Sequence, residues 1–357
     1  MLEKQNLLGL TQSKFKDFFS DLSEKPFRTK QIMQWIYHQG VYNFGDMHNF
    51  SKDLRDKLGS IASLDLPEVI STNNSKDGVV KWVIKLGEDN HIETVYIPQK
   101  ERGTLCISSQ VGCSLACTFC STGYQGFNRN LKTHEIIGQV LVAKNHLVQE
   151  NKRISNVVFM GMGEPLLNES PVYDACEILL DDWAFGLSRR RVTVSSSGIV
   201  PALLRMSDKV PVSLAISLHA PEDELRDILV PINKKYPIKE LMKACHYYLN
   251  AGTQERHILF EYVMLENVND SVENAKTLSK LLNFWFDRES NRSRKATLTR
   301  RETKALLSLF FCSARRCFFR ATSYFFFFPL QSDDDSRRRL CVCAILSLSL
   351  SDVFYSN

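Results

Sequence analysis

From about residue 100 onward the chain repeats one unit: a short apolar strand, a loop, then a helix. Strands read at TLCISSQ (104–110), NVVFMGM (156–162), RVTVSSS (191–197), VSLAISLH (212–219) and HILFEYVML (257–265). Between them run HEIIGQVLVAKNHLVQ, PVYDACEILLD, GIVPALLRM and IKELMKACHYYL, all with helical patterning. Such alternation predicts parallel strands joined by crossover helices, hence an α/β barrel or open α/β sheet. Near-continuous apolar strands fit a sheet covered on both faces. In folds of this class chemistry collects at the C-terminal ends of strands, so a site is expected where these runs end.

Upstream of the repeat, residues 5–60 read as helical, and PFRTKQIMQWIY begins on a proline, as a helix start can. Within 79–97, VVKWVIKL and IETVYIP alternate as two strands around the turn-like GEDN. Downstream, the composition changes. Residues 283–357 carry 13 Lys+Arg against 7 Asp+Glu and 11 of the 22 Phe, yet none of the 16 Gly. A folded segment of that size needs glycine for turns and helix ends. Instead it holds Phe325–Phe328, Asp333–Asp335, Arg337–Arg339 and LSLSLS, through which no amphipathic period persists. A basic tail with interleaved aromatics would bind single strands, but phenylalanines in blocks collapse instead. The basic balance of the whole chain comes from this segment and is no argument for a nucleic-acid partner.

Three regions follow: a helical N-terminal accessory domain at 1–75, the strand–helix succession at 76–282, and an atypical low-complexity tail at 283–357. The longest apolar run, Leu340–Leu350, is shorter than the roughly 18–20 residues a membrane span needs. The start, MLEKQNLLGL, shows no secretory leader and no Arg- and Ser-rich transit peptide. A cytoplasmic monomer without a membrane partner is expected, with an organelle as the alternative. Ten cysteines in such a chain point to reduced thiols, metal binding or catalysis.

Three of those cysteines, Cys113, Cys117 and Cys120, form C-x3-C-x2-C directly after the first strand of the repeat. A structural zinc site would want a fourth ligand at short spacing, and Cys106 and His134 lack the usual pairing. Three thiolates are what an iron–sulfur cluster with one open iron would use, because four close a [4Fe–4S] centre.

With Phe119 before the last cysteine, the motif resembles the signature of the radical S-adenosylmethionine (SAM) superfamily. The likeness is closer than that. TLCISSQVGCSLACTFCSTGYQGFNRNL, FMGMGEPLLN, VTVSSSGIVP, AISLHAPEDELRD, VPINKKYPI and EYVMLENVND all resemble the bacterial-type dual-specificity RNA methyltransferases, which methylate C2 of adenine in 23S rRNA and tRNA. The resemblance runs from about Leu7 to Leu282. It implies a partial (β/α)6 radical-SAM barrel with a small helical N-terminal domain and a non-matching C-terminal tail. It also implies a [4Fe–4S] cluster on Cys113, Cys117 and Cys120, SAM on its open iron, and a flavodoxin- or ferredoxin-type electron donor.

By the same resemblance Gly163, Glu164, Ser195, Ser217, Leu218 and His219 contact SAM. Taken alone, GMGEP is a glycine-rich turn, and the serines and SLH are strand-end hydrogen bonders. Glu93 matches the family's proton acceptor, although an isolated Glu in an alternating strand is ordinarily a solvated face; a positioned carboxylate can take the proton that leaves adenine C2. Cys106, by itself a buried strand cysteine, matches a thiol that forms a disulfide with a second cysteine to release the RNA adduct. Cys176 and Cys245 fall in helical patterns and read as core.

The family's final barrel strand and its C-terminal motif, which carries a methyl-bearing cysteine, have no counterpart after Leu282. Cys312, Cys317, Cys341 and Cys343 stand in other contexts, and none is assigned as methyl carrier. Cluster and SAM binding are therefore expected to survive while methyl transfer fails, and the sheet is expected to end on an unpaired edge. Two other readings stand beside this one: a relative that methylates C8 of the same adenine, and an RNA- or ribosome-binding module with a structural cluster and no catalysis.

Overall fold

A computed structural model describes residues 4–251, 256, 258–287 and 340–345. In chain order it begins with β1 (Gln5–Asn6), α1 (Gln12–Asp21), α2 (Phe27–Met33), α3 (Lys52–Ile61) and β2 (Ala62–Ser63). Strands β3 (Glu68–Asn74), β4 (Val80–Lys85), β5 (His91–Gln99), β6 (Arg102–Cys106) and β7 (Gln110–Gly112) follow. Then come α4 (Ser121–Tyr124), β8 (Phe127–Asn130), α5 (Thr133–Gln149), β9 (Asn156–Phe159), α6 (Glu169–Leu180) and β10 (Val192–Ser196). The succession ends with α7 (Val200–Lys209), β11 (Ser213–Ser217), α8 (Asp223–Leu229), α9 (Ile238–Asn250), β12 (Ile258–Val263), α10 (Val272–Asp287) and β13 (Leu340–Ile345). The α/β class and the strand–helix repeat read from the sequence are both present.

The chain divides into two compact units, Met1–Cys113 with Phe127–Val194, and Ser114–Gly126 with Ser195–Asn357. In the first, the N-terminal helices close over Leu7, Leu8, Phe15, Phe19, Ile32, Met33, Tyr37, Leu54 and Leu58, all essentially buried. Local chemistry starts these helices: the Thr11 side chain accepts from the Lys14 N–H, and Ser51 accepts from Leu54, each satisfying a donor the helix itself cannot. β3, β4, β5 and β6 form an antiparallel run, after which β6, β9 and β10 are parallel. The turn to parallel pairing coincides with the first crossover helix, α5, whose Ile136, Ile137, Val140, Leu141 and Leu147 are buried, as a crossover requires. Two of these strands were read from alternation at 79–97. Of the four, β3 is exposed along its whole length and carries a register shift between Val69 and Ser71.

In the second unit β11 and β12 are parallel, in register from Leu214↔Ile258 to Ser217↔Glu261. Their residues are buried almost throughout, and α7 and α9 supply buried Leu203, Met206, Leu241, Met242 and Tyr248. One expectation differs from the structure here. The sheet was expected to end unpaired after β12, but β13 lies parallel to it, from Ile258↔Leu340 to Val263↔Ile345. The six-residue run LCVCAI is apolar and β-prone, and an open strand edge is a template for such a run. Residues 288–339 and 346–357 lie outside the described residues, as do Cys312 and Cys317.

Candidate active site

Within the first unit, the predicted residues Glu93, Cys106, Gly163 and Glu164 are tied together by strand pairing and by the Ser108 and Gln110 side chains. Cys106 ends β6, paired with Val95 of β5 and Val158 of β9. Glu93 stands two residues before Val95 on β5. Directly paired residues share a face, and so do residues two apart. Glu93 and Cys106 are therefore diagonal neighbours on one face, a relation in which side chains are about 7–8 Å apart. The Glu93 carboxylate, half-exposed, receives Lys81 Nζ at 2.9 Å.

Ser108 couples that strand to the glycine-rich turn. Its Oγ donates to the Glu93 carbonyl at 2.7 Å and accepts from the Met162 N–H at 2.9 Å. The Ser109 N–H donates to the Met162 carbonyl at 2.8 Å. Buried Gln139 of α5 holds the Ser108 backbone from the other side, accepting from its N–H at 2.8 Å and donating to its carbonyl at 2.9 Å. The Thr94 hydroxyl donates to the same Gln139 oxygen at 2.8 Å.

Gly163 has φ +98°, and a Cβ there would stand 2.5 Å from Gln110 Cβ and 2.8 Å from the Gln110 nitrogen. Only glycine fits a turn that is both left-handed and pressed against the strand backbone. The same Gln110 accepts from the Glu164 N–H at 2.9 Å. Glu164 is buried, and its Oε1 accepts from the Leu166 N–H at 3.2 Å. Its carboxylate is thus aimed by the short helical turn Pro165–Leu167 that it caps. Cys113, half-buried, follows β7 and is the last residue of this unit's first segment.

The second unit begins one residue later and holds the remaining predicted residues. Cys117 and Cys120 are half-buried, and the Cys120 N–H donates to the Cys117 carbonyl at 3.1 Å. Ala116, just before Cys117, has φ +50°, a conformation uncommon outside glycine and costly enough to mark a constrained loop. The loop packs on one helix end: Cys117 and Phe119 lie against Ala220, Leu229 and Val230, and the Thr118 N–H donates to the Leu229 carbonyl at 3.1 Å.

Phe119 also meets His219 edge to face, with ring centroids 4.6 Å apart. His219 is buried at the end of β11 with φ +59°. Its Nδ1 accepts from the Val263 N–H at 3.1 Å, which leaves the ring proton on Nε2. Burial, reinforced by the Arg226 charge, holds its pKa down to about 3, so the ring is neutral at ordinary pH.

Ser217, Leu218 and His219 are all fastened to Glu261 of β12. Ser217 Oγ donates to the carboxylate at 3.1 Å, and the Leu218 and His219 N–H groups donate to its carbonyl at 3.0 and 3.3 Å. Burial pushes the Glu261 carboxyl up to about 7, against the smaller downward pull of the Ser217 hydrogen bond. Ser195 stands near the end of β10, half-buried. The next residue, Ser196, turns the chain by accepting from the Gly198 N–H at 3.0 Å.

Sequence reasoning assigned no role to Ser108, Gln110, Gln139, Arg226 and Glu261. All but Gln139 fall inside the quoted motifs, so the signal existed at motif level. Arg226 is the extreme case, fully buried with four acceptors, whereas an arginine in a helix ordinarily reads as solvated.

The donor set decides which metal these cysteines suit. All three predicted ligands are sulfur, which favours zinc or iron–sulfur chemistry over hard cations. Among the described residues no three His, Cys, Asp or Glu side chains converge on a single ion position. Three cysteines with no fourth ligand at short spacing suit an iron–sulfur centre with one open iron better than a four-ligand structural zinc site.

Comparison with known proteins agrees. Residues 5–64 match the family described as the ribosomal RNA large subunit methyltransferase N-terminal domain, and residues 107–278 match the radical SAM superfamily. A dual-specificity RNA methyltransferase RlmN from Vesicomyosocius okutanii is 66% identical over 281 residues, which is 79% of this chain and 79% of that protein. Its namesake from Ruthia magnifica is 64% identical with the same coverage. Among solved structures, a radical SAM methyltransferase from Sphaerobacter thermophilus is similar with a TM-score of 0.74 and 31% identity, over 87% of this chain and 93% of that one.

Proposed function

The chain belongs to the RlmN family of dual-specificity RNA methyltransferases within the radical SAM superfamily, and from that membership we propose that it is built to methylate C2 of a specific adenine in 23S rRNA and in tRNAs. The observation that carries the reading is the packing of the cysteine loop, through Phe119, on the Ser217–Leu218–His219 strand end. Cofactors of this family are a [4Fe–4S] cluster and SAM. Cys113, Cys117 and Cys120 would hold the cluster; Gly163, Glu164, Ser195, Ser217, Leu218 and His219 would hold SAM. When bound, these groups supply the one-electron cleavage of SAM that makes a carbon lacking a lone pair open to methylation.

The residues themselves bind, orient and move protons. A buried carboxylate at Glu164 suits an ammonium group, and its cap on Leu166 fixes its direction. Neutral His219 offers an Nε2–H donor without adding charge. On the RNA side, Glu93 is the carboxylate that would take the proton leaving adenine C2, and Lys81 Nζ stands 2.9 Å from it. Cys106 is its diagonal neighbour on the same strand face, and by family likeness it would be the thiol that releases an RNA adduct by forming a disulfide with a second cysteine.

Residues 1–75 serve as the accessory domain, consistent with the family match at 5–64. The chain acts as a cytoplasmic monomer fed by a flavodoxin- or ferredoxin-type donor; among the described residues no helix is long and apolar enough to cross a membrane. Residues 283–357 lack the family's methyl-carrier motif, so this chain completes cofactor cleavage and stops short of methyl transfer. The test is anaerobic reconstitution with iron and sulfide, then SAM, reductant and a 23S rRNA fragment, with products read by mass spectrometry. 5′-Deoxyadenosine without methyladenosine is expected. 2-Methyladenosine would refute the block on transfer, 8-methyladenosine would assign the chain to the C8 relatives, and no 5′-deoxyadenosine would leave a binding module.

A further inference from the structure

Arg226 is fully buried on α8, and its guanidinium donates to four acceptors: the carbonyls of Leu218 at 2.9 Å, Ser197 at 2.8 Å and Ser217 at 2.9 Å, and Asn233 Oδ1 at 2.7 Å. Those four acceptors are all uncharged. The carboxylates nearest it are met at one remove, because Asn233 Nδ2 donates to Asp223 Oδ1 at 2.9 Å and to Asp227 Oδ1 at 2.7 Å. The helix that carries Arg226 is the one on which the cysteine loop rests, through Cys117 against Leu229 and Val230 and the Thr118–Leu229 hydrogen bond. Leu229 and Val230, in the cluster that Cys117 packs against, follow Arg226 by one helical turn, and burial draws the guanidinium pKa only down to about 10. Arg226 therefore keeps its charge at neutral pH.

We propose that Arg226 is a redox-tuning residue, a fixed buried cation beside the Cys117 end of the cysteine loop that raises the potential at which an iron–sulfur cluster on that loop accepts an electron. The proposal rests on the cluster assignment above. On reduction the cluster gains one electron from the external donor and one unit of negative charge, with no bond made or broken. A neighbouring positive charge stabilises the reduced form more than the oxidised one, and low local dielectric strengthens the effect. A purely structural staple would hold the same carbonyls but leave the potential unmoved.

The test is a redox titration followed by electron paramagnetic resonance, on the full chain reconstituted anaerobically with iron and sulfide. Arg226→Gln is expected to move the reduction equilibrium about tenfold toward the oxidised cluster, about 59 mV for one electron, and Arg226→Lys to restore most of it. Asp227→Asn removes a carboxylate that offsets the guanidinium while keeping an oxygen for Asn233, and is expected to shift the equilibrium the opposite way by a smaller amount. If Arg226→Gln does not fold, the sign of the Asp227→Asn shift decides. Loaded clusters with unmoved midpoints in the variants overturn this proposal alone. A wild-type chain that binds no iron overturns the cluster assignment and this proposal with it.

Discussion

Glu261→Gln isolates the energetic cost of the carboxyl group that fastens the Ser217–His219 strand end. The wild-type carboxyl titrates at about 7 in the fold against an ordinary 4.5. Between those values the folded chain keeps a proton that the unfolded chain releases. The contribution is therefore fully present below pH 4.5 and is lost as pH rises through 7. At about 1.4 kcal/mol per pKa unit, the full swing is about 3 kcal/mol. Glutamine keeps an oxygen for the Ser217 hydroxyl and carries no charge at any pH. The two proteins should be similarly stable near pH 4.5, and the variant should gain on wild type as pH rises to about 7 and hold that lead above it. Urea unfolding at stepped pH checks this, with the gap in midpoints widening by roughly 1 M for slopes of the usual order. Hydrogen exchange in peptides spanning β11 and β12 localises the effect. A gap that stays constant from pH 4.5 to 8 would refute the reasoning, because it would mean that Glu261 titrates alike folded and unfolded.

Two further substitutions probe the first unit. Gly163→Ala places a methyl where Gln110 Cβ and backbone already stand, at a φ that strains any L-residue; SAM affinity by equilibrium dialysis should fall at least about tenfold, matching the roughly 1–3 kcal/mol typical of such strain, and unchanged affinity would remove Gly163 from the cofactor site. Gln139→Leu strips the Ser108 N–H, the Ser108 carbonyl and the Thr94 hydroxyl of buried partners; unfolding free energy should drop by about 2–5 kcal/mol, and a loss under about 0.5 kcal/mol would show that the backbone re-pairs without it.

The parts legible in the sequence were those with a period or a spacing. The helical N-terminus, β4 and β5, and the later strands announce themselves by alternation or apolar runs, and the cysteine triplet by its intervals. β3 did not, because EVISTNN is exposed on both faces and carries no hydrophobic period for a reader to find. Edge pairing of β13 depends on an unoccupied neighbour, which no local pattern encodes. The other candidate site residues were found only through motif likeness. Glu261 and Arg226 look like surface charges in one dimension, and only the fold shows that each is buried among backbone groups it organises.

The outer strand β3 bears on how copies of this chain avoid one another. A row of unused amides and carbonyls invites a second molecule to continue the ladder. Here the irregularity between Val69 and Ser71 puts the repeat out of step midway, and an arriving straight strand would match one half and miss the other. The polar Ser71–Asn74 stretch that follows gives such a visitor little apolar surface to bury. The feature that hid β3 from a reading of the sequence thus leaves the protein an edge that neighbours find hard to extend.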